Sequence, residues 1–252
     1  MTAGVRRGHV YRTGSPASGV YYSIEYRRTE HRSPSLPAIE TTVIRAAAEL
    51  EYFRRASFML SVQQLRDLPP DEGREIAFVG RSNVGKSSVI NALCDQQGLA
   101  RTSRTPGRTQ HFVLFEVGPE RRLMDLPGFG YAVVDKATRA HWNETIPVYL
   151  EERVSLSGLV LIVDSRHDLK PEELNLIGWT LAANVPLVVL LNKADKLGRQ
   201  ASMAAVRAAG KAIAALGGDA SSARLFSAAN KTGVPELRAL LDEWFSAPLA
   251  EE

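Results

Sequence analysis

The residues best suited to chemistry form a glycine-rich run that ends in a lysine and a serine. The run reads Gly80, Arg81, Ser82, Asn83, Val84, Gly85, Lys86 and Ser87. It fits the phosphate-binding P-loop pattern, in which backbone N–H groups and the N-terminus of the following helix surround phosphate groups. We therefore expect Lys86 to neutralise the outer phosphates of a nucleoside triphosphate and the Ser87 hydroxyl to bind Mg²⁺. A chance glycine-rich turn is the alternative, and the strand and helix predicted on either side disfavour it.

A second motif of four residues follows a predicted strand further along the chain. It reads Asp125, Leu126, Pro127 and Gly128. An aspartate at a strand end can hold Mg²⁺ through a water molecule, and the N–H group of Gly128 can contact the γ-phosphate. Alone, this pattern is common and could be a surface turn. Its position after a P-loop favours the phosphate-related interpretation.

A third motif follows the most apolar predicted strand and indicates which base is bound. It reads Asn192, Lys193, Ala194 and Asp195, and a later one contains Ser227 and Ala228. The Asp195 carboxylate can accept hydrogen bonds from guanine N1–H and the 2-amino group, which adenine cannot offer, so discrimination of about 10⁴ or more is possible. We expect Asn192 to join this loop to the P-loop, the Lys193 stem to cover the ring, and the Ala228 N–H to donate to guanine O6. A helix N-cap, the alternative, explains one residue rather than four in order.

The segment between the first predicted helix and the following hairpin should supply a second hydroxyl to Mg²⁺. It contains Thr105, Pro106, Gly107, Arg108, Thr109 and Gln110. We select Thr109 as the ligand over Thr105, Thr102 and Ser103, and expect residues 107–110 to lie along the nucleotide. A simple turn at Pro106 and Gly107 explains the bend but not its position in the chain.

Continuous apolar strands alternate with helices from residue 74 onward. This pattern predicts an α/β fold of three layers, a Ras-like P-loop GTPase domain with a six-stranded, mostly parallel sheet, one antiparallel strand, and helices on both faces. Ligands of such sheets bind at the carboxyl ends of the strands, where all the motifs above fall. We predict three parts: a mostly disordered extension over residues 1–52, the GTPase domain over 53–247, and a tail over 248–252.

Composition excludes other classes of protein. Cys94 is the single cysteine, so neither a disulfide framework nor a multi-cysteine metal site is possible, and we expect a core thiol in a reducing cytoplasm. Residues 1–55 hold nine arginines and five glutamates, whereas the remainder holds 22 basic and 23 acidic side chains, so whole-chain basicity says little about the folded part. No apolar run is long enough for a membrane span. A cytoplasmic monomer is expected.

The motifs together resemble those of the bacterial EngB family, translation-factor-like GTPases related to Era and MnmE. The resemblance covers about residues 53–244, and its most specific parts are Arg81, Ser82 and Asn83 in the P-loop and the Phe-Gly-Tyr-Ala run over 129–132. It implies a role in assembly of the large ribosomal subunit, with a link to cell division and septation. The first 50 or so residues have no counterpart in the compact family members.

Hydrolysis is expected to be slow without outside help. Phe129 occupies the position where Ras-type enzymes carry a glutamine that orients the attacking water, and a phenyl ring cannot do so. Relatives with an asparagine at the position of Asn83 can bind K⁺ beside the phosphates, so we expect Asn83, with Lys86 and Thr109, to serve catalysis. An internal arginine, Arg81 or Arg108, is the other candidate source of positive charge.

A basic and aromatic cluster is predicted near the nucleotide loops. It comprises Arg101, Arg104, Arg108, Tyr131, Lys136, Arg139, His141 and Trp142. Such a cluster could contact rRNA phosphates and stack on bases, or it could be a solvated face over buried aromatics. A septum- or cytoskeleton-associated GTPase acting without the ribosome is the alternative function, although no heptad run is present. A metabolic NTPase would need a further substrate domain.

Overall fold

The computed structural model describes residues 51–101, 111–129 and 136–247. In these residues one sheet is built from seven strands. They are β1 (Ser57–Val62), β2 (Arg74–Gly80), β3 (Phe112–Gly118), β4 (Arg121–Asp125), β5 (Leu156–Asp164), β6 (Leu187–Asn192) and β7 (Ala223–Leu225). Their order across the sheet is β1-β3-β4-β2-β5-β6-β7. Strand β3 pairs antiparallel with both neighbours, and the other pairings are parallel. The predicted class and the antiparallel strand are confirmed.

In the part of the chain that the structure describes, five α-helices cover the two faces of the sheet. They are α1 (Lys86–Cys94), α2 (Lys136–Glu152), α3 (Pro171–Ala182), α4 (Arg199–Ala215) and α5 (Val234–Ser246). Helices α1 and α5 bury residues such as Leu93 and Leu241 in the core on one face. Helices α2, α3 and α4 bury residues such as Ile146, Leu176 and Ile213 in the core on the other. The three layers follow from this division. No helix among the described residues is both long and apolar enough to cross a bilayer.

The prediction of six strands was wrong by one. Strand β1 lies at the edge of the sheet, where it pairs with β3, and its register shifts between Phe58 and Leu60. Only Leu60 and Val62 pack against the core, while Phe58 and Met59 are exposed. The alternation of Phe58, Leu60 and Val62 with Met59 and Ser61 hints at this short strand in the sequence, and the strand count of six left it out.

Helix α1 ends at Cys94. Asp95 adopts a left-handed conformation with φ of 52°, and its N–H group bonds to the carbonyl oxygens of Asn91 and Ala92. This geometry closes the helix at Cys94. The Cys94 thiol is fully buried, and burial raises its pKa to about 12, so it is a core side chain as expected.

Four strands end at the same edge of the sheet on a polar or glycine residue. These last residues are Gly80, Asp125, Asp164 and Asn192, on β2, β4, β5 and β6. Because these strands are mutually parallel, their carboxyl ends bring the four residues to one side of the molecule.

Candidate nucleotide-binding site

The P-loop connects the end of β2 to the start of α1 and packs closely against residues of β5 and β6. Gly85 has a φ of 98°, and a Cβ placed there would lie 2.5 Å from the Nδ2 atom of Asn192. At Gly80 a Cβ would lie 2.5 Å from the carbonyl oxygen of Ile162 on β5. Gly80 is required because the backbone of β5 leaves no room for a side chain, and Gly85 is required because its φ is positive and the Asn192 amide fills the space beside it. The loop N–H groups are thereby held at the start of α1.

Lys86 and Asp125 form an ion pair at the centre of the site. The Lys86 Nζ atom donates to Asp125 Oδ1, and the two side chains are 10% and 6% exposed. Burial raises the pKa of Asp125, and the nearby Lys86 ammonium opposes that rise. Ser87, the second residue of α1, is partly buried and follows this lysine directly. A hydroxyl and a carboxylate are oxygen donors of the kind that Mg²⁺ prefers, so Ser87 and Asp125 fit such an ion.

The segment after Asp125 lies against the P-loop. The N–H group of Leu126 donates to Phe78 on β2 at 2.9 Å, and that of Ser82 donates to Phe129 at 3.3 Å. A Cβ at Gly128 would lie 3.4 Å from the carbonyl oxygen of Gly80. The two predicted phosphate motifs therefore form one continuous backbone surface.

Phe129 is held in an aromatic cluster and points away from solvent. Its ring centroid lies 4.8 Å from that of Trp142, which lies 6.1 Å from that of Trp179. The Trp142 indole donates to the carbonyl oxygen of Pro127 at 3.1 Å. Trp142 is 9% exposed, so for this side chain the alternative of a buried aromatic holds rather than stacking on a nucleic-acid base. The aromatic side chain instead supports the segment that carries Gly128.

Asn192 joins the loops of the site. Its side chain is buried, and Nδ2 donates to the carbonyl oxygen of Val84 in the P-loop at 2.8 Å. Its Oδ1 atom accepts from the N–H group of Ala228 at 3.2 Å, and the N–H group of Ala194 donates to Phe226 at 3.1 Å. A single buried amide therefore links the phosphate loop to both segments expected to hold the base.

Asp195 presents an ionised carboxylate beside Ser227. Its Oδ1 atom accepts from the Ser227 hydroxyl at 2.6 Å, and Oδ2 lies 3.1 Å from the Lys196 ammonium. The Ser227 hydrogen bond, with help from Lys196, lowers the pKa of Asp195. An ionised carboxylate has about four acceptor positions, so two protein partners leave room for two donors of a base.

Asp164 lies beside the predicted base-binding loop, although none of the sequence motifs includes it. Its carboxylate accepts from Lys193 Nζ at 2.9 Å and from the Arg166 guanidinium at 2.8 and 2.6 Å. The same Lys193 ammonium donates to the carbonyl oxygen of Asn83 in the P-loop at 2.7 Å. Asp164 therefore holds the lysine stem that was expected to cover the base. Its position at the end of a buried strand, like that of Asp125, was the signal available in the sequence.

The proposed magnesium-binding segment lies outside the described residues. Gly107, Arg108, Thr109 and Gln110, with the alternatives Thr102, Ser103 and Thr105, fall in the gap over 102–110. Tyr131 falls in the gap over 130–135. The roles given to these residues stay predictions from the sequence.

Known proteins match this arrangement along most of the chain. The family model described as 50S ribosome-binding GTPase matches residues 75–193. The "Probable GTP-binding protein EngB" of Mannheimia succiniciproducens is 46% identical over 199 residues, which is 79% of this chain and 97% of that protein. Its namesake in Escherichia coli O1:K1 is 46% identical over 208 residues, 82% of this chain and 94% of that one.

Solved structures share the fold at lower identity. A crystal structure of a probable GTP-binding protein engB aligns with a TM-score of 0.55 and 21% identity, covering 68% of this chain and 98% of that one. Era in complex with MgGDPNP and a segment of 16S rRNA aligns with a TM-score of 0.54 and 22% identity, covering 72% and 59%. The P-loop geometry, the Asn192 junction and the identity over nearly the whole length of the relatives lead to one conclusion: the chain belongs to the EngB family of GTP-binding proteins.

Proposed function

We propose that this protein is a magnesium-dependent GTP-hydrolysing switch that acts in assembly of the large ribosomal subunit and supports normal cell division. The proposal that the protein binds a guanine nucleotide rests on one observation, the position of the buried Asn192 side chain. It connects the P-loop at Val84 to Ala228, next to the Asp195 carboxylate that would select the base. Phosphate and base recognition thus share one rigid junction, as a switch that senses a whole nucleotide requires.

Guanine selection rests on Asp195. Its carboxylate is ionised and anchored by Ser227, so it would accept from guanine N1–H and the 2-amino group. Titration calorimetry should find GTP and GDP bound far more tightly than ATP, by about 10⁴-fold. Equal affinity for the adenine and guanine nucleotides would overturn this assignment.

Magnesium would be held by Ser87 and Asp125, with Thr109 as a further ligand. When bound, the ion neutralises charge that develops on the phosphate oxygens. Lys86 would leave Asp125 for the outer phosphates, because a triphosphate offers the ammonium a higher density of negative charge than one carboxylate. The Lys86–Asp125 ion pair supports this proposal, since it places both partners where the nucleotide and the ion would divide them.

GTP hydrolysis also needs a group that supplies positive charge beside the phosphates. Phe129 is buried against Trp142 and carries no group to orient water, so turnover by the protein alone should be slow. We favour K⁺ beside Asn83, whose side chain is exposed and whose left-handed backbone is held through Lys193. GTP turnover in KCl should exceed turnover in NaCl at equal ionic strength. Identical rates would shift the role to an arginine, and Arg108→Ala would then abolish turnover without weakening binding.

The proposed role in assembly of the large ribosomal subunit rests on the family to which the chain belongs. The matching family model is described as a ribosome-binding GTPase, and the described helices contain no membrane span. Sedimentation of cell extract through sucrose gradients tests it directly. We expect the protein to co-migrate with the large subunit in the presence of a non-hydrolysable GTP analogue, and to do so less with GDP. Association that ignores the nucleotide, or a septum-bound pool that never meets the subunit, would favour the alternative of a ribosome-independent GTPase. Cytoplasmic location and a monomeric state are part of the proposal.

A further inference from the structure

Positive charge is concentrated on one helix of the domain. Helix α4 carries Arg199, Arg207 and Lys211 and no acidic side chain. The other helices differ: α2 and α5 mix both signs, α3 carries two glutamates, and the only charge of α1 is the site lysine. Outside residues 1–55 the chain holds 22 basic and 23 acidic residues, so this helix stands out against a nearly neutral body.

The three cations are exposed. Within the described ranges, none of Arg199, Arg207 and Lys211 forms an ion pair or hydrogen bond through its side chain. Consecutive members lie eight and then four residues apart, and each step of four residues turns by about 40°, so the row winds obliquely across the exposed surface of the helix. Met203 fills the remaining position of the row and is 50% exposed. At 1.5 Å per residue the row spans about 18 Å, the length of several consecutive phosphates on one strand.

The inner side of α4 is packed tightly against the domain, so the row is carried on a fixed helix. Ser202, Ala209 and Ile213 are buried in the domain. A Cβ at Gly210 would lie 2.9 Å from the carbonyl oxygen of Ala220, so the helix rests directly on the 3-10 turn over 220–222. Side chains on a fixed helix lose less conformational freedom on binding than those of a loop. Alanines at 204 and 208 keep the exposed surface low, which lets a partner backbone approach.

We infer that the exposed face of α4, defined by Arg199, Met203, Arg207 and Lys211, binds the phosphate backbone of RNA. This inference rests on the proposed ribosomal function and names the surface and the chemistry of its partner. The face recognises negative charge repeated along a strand. Binding is therefore independent of sequence and sensitive to salt. The helix begins four residues after Asp195, so the face lies next to the base-binding loop in the chain.

The test compares two variants of equal net charge. The first is Arg199→Gln, Arg207→Gln and Lys211→Gln. The matched control removes three arginines elsewhere, Arg55→Gln, Arg66→Gln and Arg122→Gln. Filter binding of protein-free large-subunit rRNA is measured from 50 to 300 mM KCl. We expect the α4 variant to bind at least about tenfold more weakly at 150 mM, and the slope of log K against log salt to fall by about 2 to 3. The control should resemble the unmodified protein.

The remaining outcomes separate this inference from the proposed function. GDP affinity and GTP turnover should be unchanged in the α4 variant, because none of its three side chains forms a hydrogen bond or ion pair with the nucleotide loops that the structure describes. Equal rRNA binding by all three proteins, or no rRNA binding by any, would overturn the α4 face while sedimentation with the subunit could still support the proposed function. Loss of subunit association with full retention of rRNA binding would identify an acidic protein surface as the partner and would also overturn the inference.

Discussion

Two buried carboxylates at opposite ends of the sheet have different surroundings. Asp125 ends β4 on the nucleotide side and pairs with Lys86. Glu75 lies near the start of β2, is fully buried, and accepts from the Tyr149 hydroxyl at 2.6 Å and from the Arg153 guanidinium at 3.2 Å. Both are charged groups placed where an unpaired charge would be costly.

The network around Glu75 is satisfied by protein alone. Arg153 also donates to the carbonyl oxygen of Pro69 at 3.2 Å and pairs with Asp71 at 3.4 Å. Asp71 in turn accepts from the N–H groups of Val154 and Ser155, which lie just after the end of α2, at 2.7 and 2.8 Å. This end therefore fixes the C-terminus of α2 to the sheet.

A structural carboxylate differs from a ligand-binding one in how many of its acceptor positions are filled by protein groups. Glu75 has two side-chain partners, both at the C-terminal end of α2, that no ligand needs to displace. Asp125 has one charged partner, and that partner is itself a predicted phosphate ligand. A buried carboxylate with few protein partners beside a glycine-rich loop has its acceptor capacity left for a ligand.

Replacing Asp195 by asparagine should have the largest effect, on ligand choice. An amide at this position still accepts from Ser227 but offers a donor where guanine also has donors. GTP affinity should fall by about 10⁴-fold, while a xanthosine nucleotide, with oxygen in place of the 2-amino group, should gain affinity. Calorimetry with both nucleotides measures the reversal. An unchanged preference for GTP would contradict the assignment of the base loop.

Replacing Glu75 by alanine should mainly reduce stability. The Tyr149 hydroxyl and the Arg153 guanidinium would lose their buried acceptor, so we expect a loss of about 3 to 5 kcal/mol in the free energy of unfolding. Chemical denaturation measures it, and GDP affinity of the folded protein should be unaffected. Glu75→Gln, which keeps an acceptor for Tyr149, is the matched control and should lose less. A fall in GDP affinity at unchanged stability would show that the two ends are not functionally separate.

Replacing Asp125 by asparagine should show the reverse pattern. The carboxylate's burial penalty disappears with its charge, and the amide keeps an oxygen for Lys86, so the loss of stability should stay under about 2 kcal/mol. The Mg²⁺-dependent part of GTP affinity should fall by about 100-fold, or about 2.7 kcal/mol. Binding with Mg²⁺ and with EDTA separates that part. If EDTA affects both proteins equally, Asp125 does not act through the ion.

Replacing Asp164 by asparagine should weaken nucleotide binding modestly. The amide holds the Lys193 ammonium less strongly than a carboxylate does, and the lysine stem becomes less well placed over the base. We expect GDP affinity to fall by about tenfold, or about 1.4 kcal/mol. Arg166→Gln is the control, since it leaves Asp164 to Lys193 and should bind GDP normally. A loss in the control equal to that in Asp164→Asn would assign the effect to Arg166.

The smallest effect concerns pH and the stability that Asp164 contributes. Hydrogen bonds from Arg166, and then from Lys193, lower the pKa of Asp164, so its contribution is present above the ordinary carboxyl pKa of about 3.9 and is lost as pH falls below it. Because Arg166 is 45% exposed, solvent screening limits this contribution to about 1 kcal/mol. The stability difference between the protein and Asp164→Asn should be constant from pH 7 to 5.5 and shrink below about pH 4. A difference that grew on acidification would contradict the sign.

The motif residues were predictable because their spacing along the chain is local. A P-loop needs a strand, a turn with glycines and a helix within about 15 residues, and the sequence contains them in that order. The contribution of Asp164 was not predictable in the same way. Its partner Lys193 is 29 residues away in sequence, on the loop after a neighbouring strand. Trp142 likewise looks like an interfacial aromatic in sequence but packs between Phe129 and Trp179.

Residue types within short runs of chain were enough to predict the fold class, the order of the nucleotide motifs and guanine as the expected base. Long-range packing in the tertiary structure sets the junction that Asn192 makes between three loops, the contact of Asp164 with Lys193, and the position of β1 at the edge of the sheet. It also decided that Glu75 is structural while Asp125 faces the site. Each of these depends on which distant side chains a parallel sheet brings to the same end, and the pairing of strands, rather than local propensity, sets that choice.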